Sequence, residues 1–402
     1  MLSVGIDVSK EKSTVCVVSS VGKMVLKPIE VFNNENELEA LCQKLCNIGE
    51  DLRVVMEATG TYHLPLIKKL KEHGFFISVI NPLLMKKYAS ATLRKVKTDK
   101  MDALKIANYG IDNWHKLVEY QPQKEIYEEL RFLGRQYSHY IKVKVDIKLS
   151  FISILDRTMP GIKKLLTSKH TENPTKDKLS DFVERYWHYD NITKLSEEEF
   201  VSDYCKWAKE KRYAASAAKA KSIYQAAKAG ISTLSSSAAS TKMLTLEAVR
   251  ALREINKTLL TILTEMKKLA ITLPEYNTVL AMNGVGAVLS LRLIAEIGDV
   301  NRFHSGSALI AYAGLDAPPF ESGNFAAQKR SISKRGSSLL RKTGYEVMKC
   351  LKSAKPTKDA AVYDYMIKKE REGKPKKVAK IAALNKFLRI YFARVKETYS
   401  AA

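Results

Sequence analysis

Four acidic residues have types and spacings that could bind a metal ion together. Asp7 lies within the apolar run "SVGIDVS", Glu57 follows the apolar residues of "VVMEATGTYH", and Asp99 and Asp102 are three apart in "VKTDKMDALKIA". Residues three apart share one face of a helix, and burying an acid in an apolar strand is costly unless a cation compensates it. Each acid alone is explained more simply as a solvated or helix-capping carboxylate. Together they predict a Mg²⁺ site acting on a phosphodiester.

A second segment, residues 311–342, combines serines, glycines and cations in "AYAGLDAPPFESGNFAAQKRSISKRGSSLLRK". Some of its cations could bind phosphates or stabilise a phosphoryl transition state: Lys329, Arg330, Lys334, Arg335 and Arg341. Composition does not rank the serines as nucleophiles: Ser322, Ser331, Ser333, Ser337 and Ser338. His304 and Glu321 are candidate bases for Ser322 only through nearness in sequence. A basic loop that merely contacts phosphates is the simpler alternative.

The first 113 residues must position the four acids. Apolar runs at 3–9, 13–20 and 23–32 are separated by hairpin-sized breaks and predict three antiparallel strands. Next come a helix from about 34, a strand at 52–58, a helix near 62–73, a strand at 75–80 and the helix with Asp99 and Asp102. This order is typical of a ribonuclease-H-like α/β fold, with a mixed sheet between helices. We predict such a domain over residues 1–113.

Residues 114–273 have the pattern of long helices. Apolar residues recur at intervals of three and four around 126–140 and again over 252–269, with charged residues between them. Three such heptads suit an intrachain or an interchain coiled coil, and we predict dimerisation through it. Between the two helices, an insert at about 156–243 is poorly patterned, and the sequence does not indicate its role.

The last region, 274–402, is predicted to be mainly helical. "NGVGAVLSLRLIAEIGD" places Gly284 and Gly286 in a tight turn before an apolar helix, as in helix-hairpin-helix modules. Backbone N–H groups at such a helix start can hold a DNA phosphate. From Asn324 onward the chain has 21 Lys+Arg against 6 Asp+Glu, which predicts a basic tail. Lys97 and Lys100, beside the aspartate pair, are further candidates for contacts with the DNA backbone.

The overall charge favours a nucleic-acid partner. The chain of 402 residues has 67 Lys+Arg against 43 Asp+Glu, a net charge of +24. Cations that neutralise phosphates release counterions, which favours binding to a polyanion. No apolar run reaches the roughly 20 residues of a membrane-spanning helix, so we predict no membrane association. The five scattered cysteines lack metal-ligand spacing and suggest a reduced, intracellular protein.

Considered together, these segments resemble the DEDD-type insertion-sequence transposases. The matching stretches are "GIDVSKEK", "MEATGTYHLPL", "SVINPLLMKKYA" and "KTDKMDALKIA" near the start, and "MNGVGAVLSLRLIAEIGDVNRF", "ALIAYAGL", "FESG" and "ISKRGSSLLRK" further on. The resemblance implies a RuvC-like domain with the catalytic and metal-binding acids Asp7, Glu57, Asp99 and Asp102. It also implies that Ser322 of "ESG" is the catalytic nucleophile. The insert at 156–243 departs from the family pattern and does not align.

The resemblance further implies how such a protein works. Family members are recombinases that form a covalent phosphoserine link to DNA, and they use a structured noncoding "bridge" RNA to pair with donor and target DNA. A site composed of the acids of one protomer and the serine of another would require a homodimer, with tetramers on DNA. The expected location is the cytoplasm of a prokaryote, at the nucleoid. Two alternatives stay open: a RuvC-like junction-resolving endonuclease that uses the acids alone, and a basic DNA-binding protein without enzymatic activity.

Overall fold

A computed structural model describes residues 1–49, 51–90, 98–166, 176–317, 321–322, 325–326 and 331–401. The chain divides into two compact units, Met1–Pro122 and Gln123–Ala402, which we call unit 1 and unit 2. The three domains expected from the sequence, with boundaries at 113 and 273, stay a prediction about functional organisation.

Unit 1 is built on a five-stranded sheet. Its elements are β1 (Leu2–Val8), β2 (Lys12–Ser19), β3 (Met24–Phe32), α1 (Glu35–Cys46), β4 (Leu52–Glu57), α2 (Leu64–Glu72), β5 (Phe76–Ile80), α3 (Pro82–Ser90) and α4 (Asp99–Asp112). The strand order is β3-β2-β1-β4-β5. The first three strands are antiparallel neighbours, whereas β4 is parallel to both β1 and β5. This mixed sheet confirms the ribonuclease-H-like fold predicted from the order of elements.

The central strands are mainly apolar because both faces of the sheet are covered. Val4 and Ile6 of β1 and Val54 and Met56 of β4 are fully buried, and helices α1 and α2 supply Leu45 and other residues to the same cluster. Strands buried on both faces show such continuous apolar runs. The edge strand β3 is largely exposed. The acids therefore lie at the ends of the most rigidly packed strands.

Unit 2 is almost entirely helical. Its helices are α5 (Glu125–Thr158), α6 (Ile162–Leu166), α7 (Lys178–Tyr186), α8 (Asp190–Thr193), α9 (Glu197–Glu210), α10 (Ala217–Ala229), α11 (Ala239–Ile271), α12 (Glu275–Leu280), α13 (Ala287–Ile297), α14 (Gly306–Tyr312), α15 (Ser338–Ala354), α16 (Ala361–Arg371) and α17 (Lys376–Ala401). Two short strands, β6 (Glu321–Ser322) and β7 (Phe325–Ala326), pair between α14 and α15. In the described parts of the chain, no helix is both long and apolar enough to cross a membrane.

The long helices α5 and α11 pack against each other in opposite directions. Tyr127 near the start of α5 shares a core cluster with Met266 near the end of α11, and Phe151 near the end of α5 shares another with Val249. The apolar residues of the predicted heptads thus pack against each other within the chain. A coiled coil between two chains stays a prediction.

The insert, for which the sequence predicts no clear pattern, forms helices α6–α10 around an aromatic core. Its buried residues do recur at intervals of three and four, as Phe200, Tyr204 and Trp207 show, so the interpretation of the insert as poorly patterned missed this signal.

Helices α12–α17 share one core in the last part of unit 2. Leu384, Phe387 and Tyr391 of α17 are fully buried in it. The last helix of the expected basic tail is therefore part of this core, and its exposed residues include lysines and an arginine. The turn between α12 and α13 lies where the sequence places Gly284 and Gly286, but its assignment as a helix-hairpin-helix module stays a prediction.

Candidate active site

One cavity of unit 1 brings together three of the four acids. Asp7, Glu57 and Asp102 line a space of about 380 Å³. Asp7 is the penultimate residue of β1, and Glu57 ends β4. The two strands are parallel with Ile6 aligned to Met56, so their carboxyl ends reach the same edge of the sheet. The carboxyl edge of parallel strands is where such sheets commonly bind ligands.

Helix α4 brings Asp102 to this edge. The Thr98 side chain caps the helix by accepting the Met101 N–H at 3.3 Å, which places Asp102 in the first turn. The helix crosses β1 at Gly5, where an added Cβ would lie 2.2 Å from the Ala103 carbonyl oxygen. Only glycine permits backbone to approach backbone this closely. The small residue two positions before Asp7 therefore sets the position of α4.

Asp99 is not among the residues that line the cavity. It is exposed at the first position of α4. Its charge reaches Lys12, whose pKa is raised first by a hydrogen bond with Glu30 and to a smaller extent by Asp99. The structure thus brings three of the predicted acids together and leaves Asp99 exposed at the start of α4.

The cavity has uneven electrostatics. Burial raises the pKa of Glu57, and the nearby charge of Asp102 raises it further. Asp102 itself accepts a hydrogen bond from Lys105 Nζ, with 2.8 Å between Nζ and Oδ1. Lys86 also lines the cavity. Glu57 is therefore short of compensating charge, whereas Asp102 has a cation of its own.

Sequence reasoning missed both lysines of the cavity. Lys105 is three residues after Asp102 on the same helix, a spacing that allows an ion pair and could have identified it. Lys86 comes from α3, which follows β5, and only the fold places it near Glu57.

The donor chemistry of the cavity fits a divalent cation. Its acids offer carboxylate oxygens, the ligands that Mg²⁺ prefers. A cation would also relieve the repulsion that raises the Glu57 pKa. Within the described ranges, however, no three His, Cys, Asp or Glu side chains are close enough to hold a metal ion as they stand. Binding would therefore require side chains such as Asp102, now paired with Lys105, to change partners.

Ser322 lies in unit 2, in the two-residue strand β6, with its backbone opposite Phe325 of β7. Its side chain is outside the described part of the structure, as are Lys97, Lys329 and Arg330. The predictions for these residues stay untested.

The two segments that flank the serine hairpin are joined by main-chain hydrogen bonds. The Lys334 N–H donates to the Gly314 carbonyl at 3.0 Å, and the Ser337 N–H donates to the Tyr312 carbonyl at 2.7 Å. A Cβ on Gly336 would lie 1.9 Å from the Tyr312 oxygen, so this crossing also requires glycine. The described segments before β6 and after β7 are thereby held next to each other.

Arg341 also joins these two segments. Its Nη1 donates to the carbonyls of Ala313 and Gly336, each at 2.9 Å. Arg341 is half-buried, whereas Lys334 and Arg335 are exposed. The structure thus gives Arg341 an internal role, and the predicted phosphate contacts of all three cations stay a prediction.

The remaining predicted nucleic-acid contacts differ in their surroundings. Lys100 is exposed. Gly284 has a φ of 82° and packs closely against α15, where a Cβ would lie 2.9 Å from Leu351 Cβ. Gly286 is the N-cap of α13, with no side-chain cap, and a Cβ added there would meet no atom within 4 Å. The N–H groups at this helix start are therefore sterically accessible.

Comparison with protein families identifies two matching segments. Residues 4–160 match a family described as "Transposase" and named DEDD_Tnp_IS110. Residues 276–364 match the "Transposase IS116/IS110/IS902 family". The first segment contains all four acids, and the second contains Ser322.

Individual relatives are more distant. A "pilin gene-inverting protein" of Moraxella bovis is 23% identical over 98% of this chain and 95% of its own length. A "transposase for insertion sequence element IS1533" of Leptospira borgpetersenii is 30% identical over 36% of this chain and 44% of its own length. A solved structure of Thermus thermophilus RuvC is 15% identical, covering 30% of this chain and 99% of that chain with a TM-score of 0.23.

Proposed function

Because the chain belongs to the IS110 family of DEDD transposases, which are enzymes that act on DNA, we propose that it is an RNA-guided recombinase of an insertion sequence. The observation that carries this proposal is the shared cavity of Asp7, Glu57 and Asp102 in a ribonuclease-H-like unit. The relative named for inverting a pilin gene supports rearrangement of DNA as the outcome.

The three acids of the cavity, with Asp99 nearby, would hold Mg²⁺. When bound, the ion supplies positive charge to a phosphate in the transition state. The partial burial that raises the Glu57 pKa also reduces the screening of this charge by water. Lys86 and Lys105, at the same cavity, would pair with phosphate oxygens of the DNA strand.

Ser322 would be the nucleophile. Its hydroxyl oxygen forms a bond to the scissile phosphorus, and the bond from phosphorus to the leaving sugar oxygen breaks. The hydroxyl proton passes to a base, and the leaving oxygen takes up a proton. The phosphoserine link keeps the phosphate in a diester. A hydroxyl of another DNA strand can therefore attack the same phosphorus and release the serine oxygen, which is the reverse of the first step. The match of residues 276–364 to the transposase family, a segment that contains Ser322, supports this role.

The partners would be donor and target DNA and a structured guide RNA. The net charge of +24 supports binding to such polyanions. Base pairing by the RNA would select the sites, while the protein contacts mainly backbone and shape. Ser322 and the acids belong to different compact units, which permits a site shared between two protomers of a homodimer, or of a tetramer on DNA.

Trapping a covalent protein–DNA adduct tests the serine. We expect the wild-type protein with Mg²⁺ and element-end DNA to give an adduct that survives denaturation. Ser322→Ala should give none and still bind DNA, because only the hydroxyl is removed. An adduct formed by Ser322→Ala would overturn the assignment.

Sequencing the RNA that co-purifies with the protein tests whether an RNA guides it. A structured RNA from the flanking DNA is expected, and random cellular RNA would contradict the proposal.

A second candidate function is metal-dependent resolution of DNA junctions. It is favoured by the cavity of unit 1, which brings together three acids and two lysines that all belong to this unit. Such an enzyme would hydrolyse branched DNA equally well with Ser322→Ala and without added RNA.

A further inference from the structure

The outer side of helices α16 and α17 contains a large cationic cleft. The cleft has a volume of about 720 Å³ and is lined by Lys368, Arg371, Lys386, Tyr365, Asp364 and Glu372. We propose that this cleft binds the phosphate backbone of duplex DNA independently of sequence. The choice of DNA as the ligand rests on the proposed function, whereas the charges and contacts of the cleft indicate an anionic ligand.

The acids in this region are mostly neutralised by neighbouring cations. Residues 361–389 contain nine Lys+Arg and three Asp+Glu. Glu372 pairs with Lys369 at 2.7 Å, and Glu370 pairs with Lys352. The pKa of Glu372 is lowered first by its hydrogen bond with Lys369 and then by surrounding lysine charges. The field in the cleft is therefore positive.

The start of α17 adds cations where a helix disfavours them. Lys374 precedes the helix, Lys376 and Lys377 open it, and its first turn contains no acid. The amino end of a helix carries partial positive charge, so cations there are unfavourable without an anion. All three are exposed. An anionic ligand along this surface would remove the repulsion.

The ring of Tyr365 holds two lysine ammonium groups at the cleft. This arrangement favours contacts with the DNA backbone over contacts with its bases. Lys386 Nζ lies 5.1 Å from the Tyr365 ring centroid, and Lys369 Nζ lies 5.4 Å from it. Cations over an aromatic ring are attracted by its electron-rich face. The ring is half-buried and already contacts two ammonium groups, which leaves less of its surface for an unpaired base to stack on. A duplex, which presents phosphates outward, suits this surface better.

Binding of a duplex of arbitrary sequence, followed by fluorescence anisotropy over a range of salt concentrations, tests the proposal. The variant combines Lys368→Gln, Arg371→Gln and Lys386→Gln. Each phosphate contact contributes about 0.9 to the slope of log affinity against log salt, so the slope should fall by about 2–3. The affinity should fall by roughly tenfold at moderate salt.

A matched control carries Lys228→Gln, Lys257→Gln and Lys267→Gln, which removes the same charge from exposed positions on α10 and α11. We expect its slope to change by less than about 1. An equal loss in both triple variants would show a general charge effect and overturn the proposal. So would a loss confined to an RNA hairpin used in place of the duplex.

The single variant Arg371→Gln guards against misfolding of the triple variant, since Arg371 is exposed. It should lower the slope by about 0.9, and an unchanged slope would contradict the site. The measurement needs neither Ser322 nor the acids of unit 1. A failure of the recombinase chemistry would therefore leave the binding result intact, and a failure of the cleft would leave the adduct assay intact.

Discussion

The two regions proposed to do chemistry are positioned in different ways. In unit 1, Asp7 and Glu57 end adjacent parallel strands, and the close crossing at Gly5 holds the helix that carries Asp102. In unit 2, Ser322 lies in a short hairpin whose flanks are joined by hydrogen bonds around Gly336. Secondary structure thus positions the acids, whereas contacts between loops hold together the described segments that flank the serine hairpin.

The two regions are therefore sensitive to different substitutions. A sheet edge keeps its geometry when a surface charge changes, because its position depends on buried strands. Loop segments that are joined by a few hydrogen bonds can be separated by one strained crossing. We expect substitutions in the two regions to have distinguishable effects, and we expect the largest effects at the two glycine crossings.

Adding one methyl group at either crossing should be strongly destabilising. In Gly5→Ala the new Cβ meets the Ala103 backbone, and in Gly336→Ala it meets the Tyr312 backbone. Overpacking of this kind costs about 1–3 kcal/mol in the free energy of unfolding, measurable by denaturant titration. Gly5→Ala should also impair metal binding, while Gly336→Ala should impair adduct formation and leave metal binding intact.

Gly286→Ala is the control for these substitutions. No atom lies within 4 Å of the position its Cβ would take, and its φ of −94° suits alanine. A change within about 0.5 kcal/mol is expected. A larger loss at Gly286 than at Gly5 or Gly336 would contradict the importance of the two crossings.

The two aspartates of α4 should differ in metal binding without DNA. At Mg²⁺ concentrations ten times the dissociation constant, bound ion should stabilise unit 1 by about 1.4 kcal/mol. Asp102→Asn should abolish this gain because Asp102 lines the cavity, and Asp99→Asn should keep most of it. Thermal melts with and without Mg²⁺ measure both. Equal losses would show that Asp99 is a metal ligand even without DNA.

Removing the cation that pairs with Asp102 should tighten metal binding. Lys105 and Mg²⁺ compete for the same carboxylate. An ion pair of this exposure is worth up to about 1 kcal/mol, so Lys105→Met should lower the dissociation constant by about two- to fivefold. Titration calorimetry measures it. Lys100→Met, an exposed lysine of the same helix, should change it little. Weaker binding in Lys105→Met would contradict the competition.

Glu57 should give unit 1 a small pH dependence. Its folded-state pKa is raised from 4.5 by burial and by Asp102, so the folded form binds its proton more tightly than the unfolded form. Stability then falls as pH rises from below 4.5 through the folded pKa. Glu57→Gln should melt at a higher temperature than the wild type at neutral pH and at a similar temperature in acid. A lower melting temperature at neutral pH would contradict the raised pKa.

Local patterns explain what the sequence could predict. The runs "SVGIDVS" and "VVMEATG" indicated buried strands that end in acids, and the mixed sheet follows from the order of elements. Long-range contacts explain what it could not. Lys86 reaches the cavity through the fold, the insert is organised by an aromatic core, and α17 buries one face while exposing lysines. Lys86 leaves no local signal. The buried residues of the insert helices and of α17 do recur at helical spacing, but the sequence does not show which residues they pack against.

In the proposed mechanism, the acids of one protomer and Ser322 of another act on the same phosphate. Mixing an affinity-tagged Asp102→Asn variant with untagged Ser322→Ala tests it directly on element-end DNA with Mg²⁺ and the co-purifying RNA. Neither variant alone should give an adduct, and the mixture should give one on the tagged subunit, which retains its serine. No adduct in the mixture, or an adduct from Asp102→Asn alone, would contradict the account.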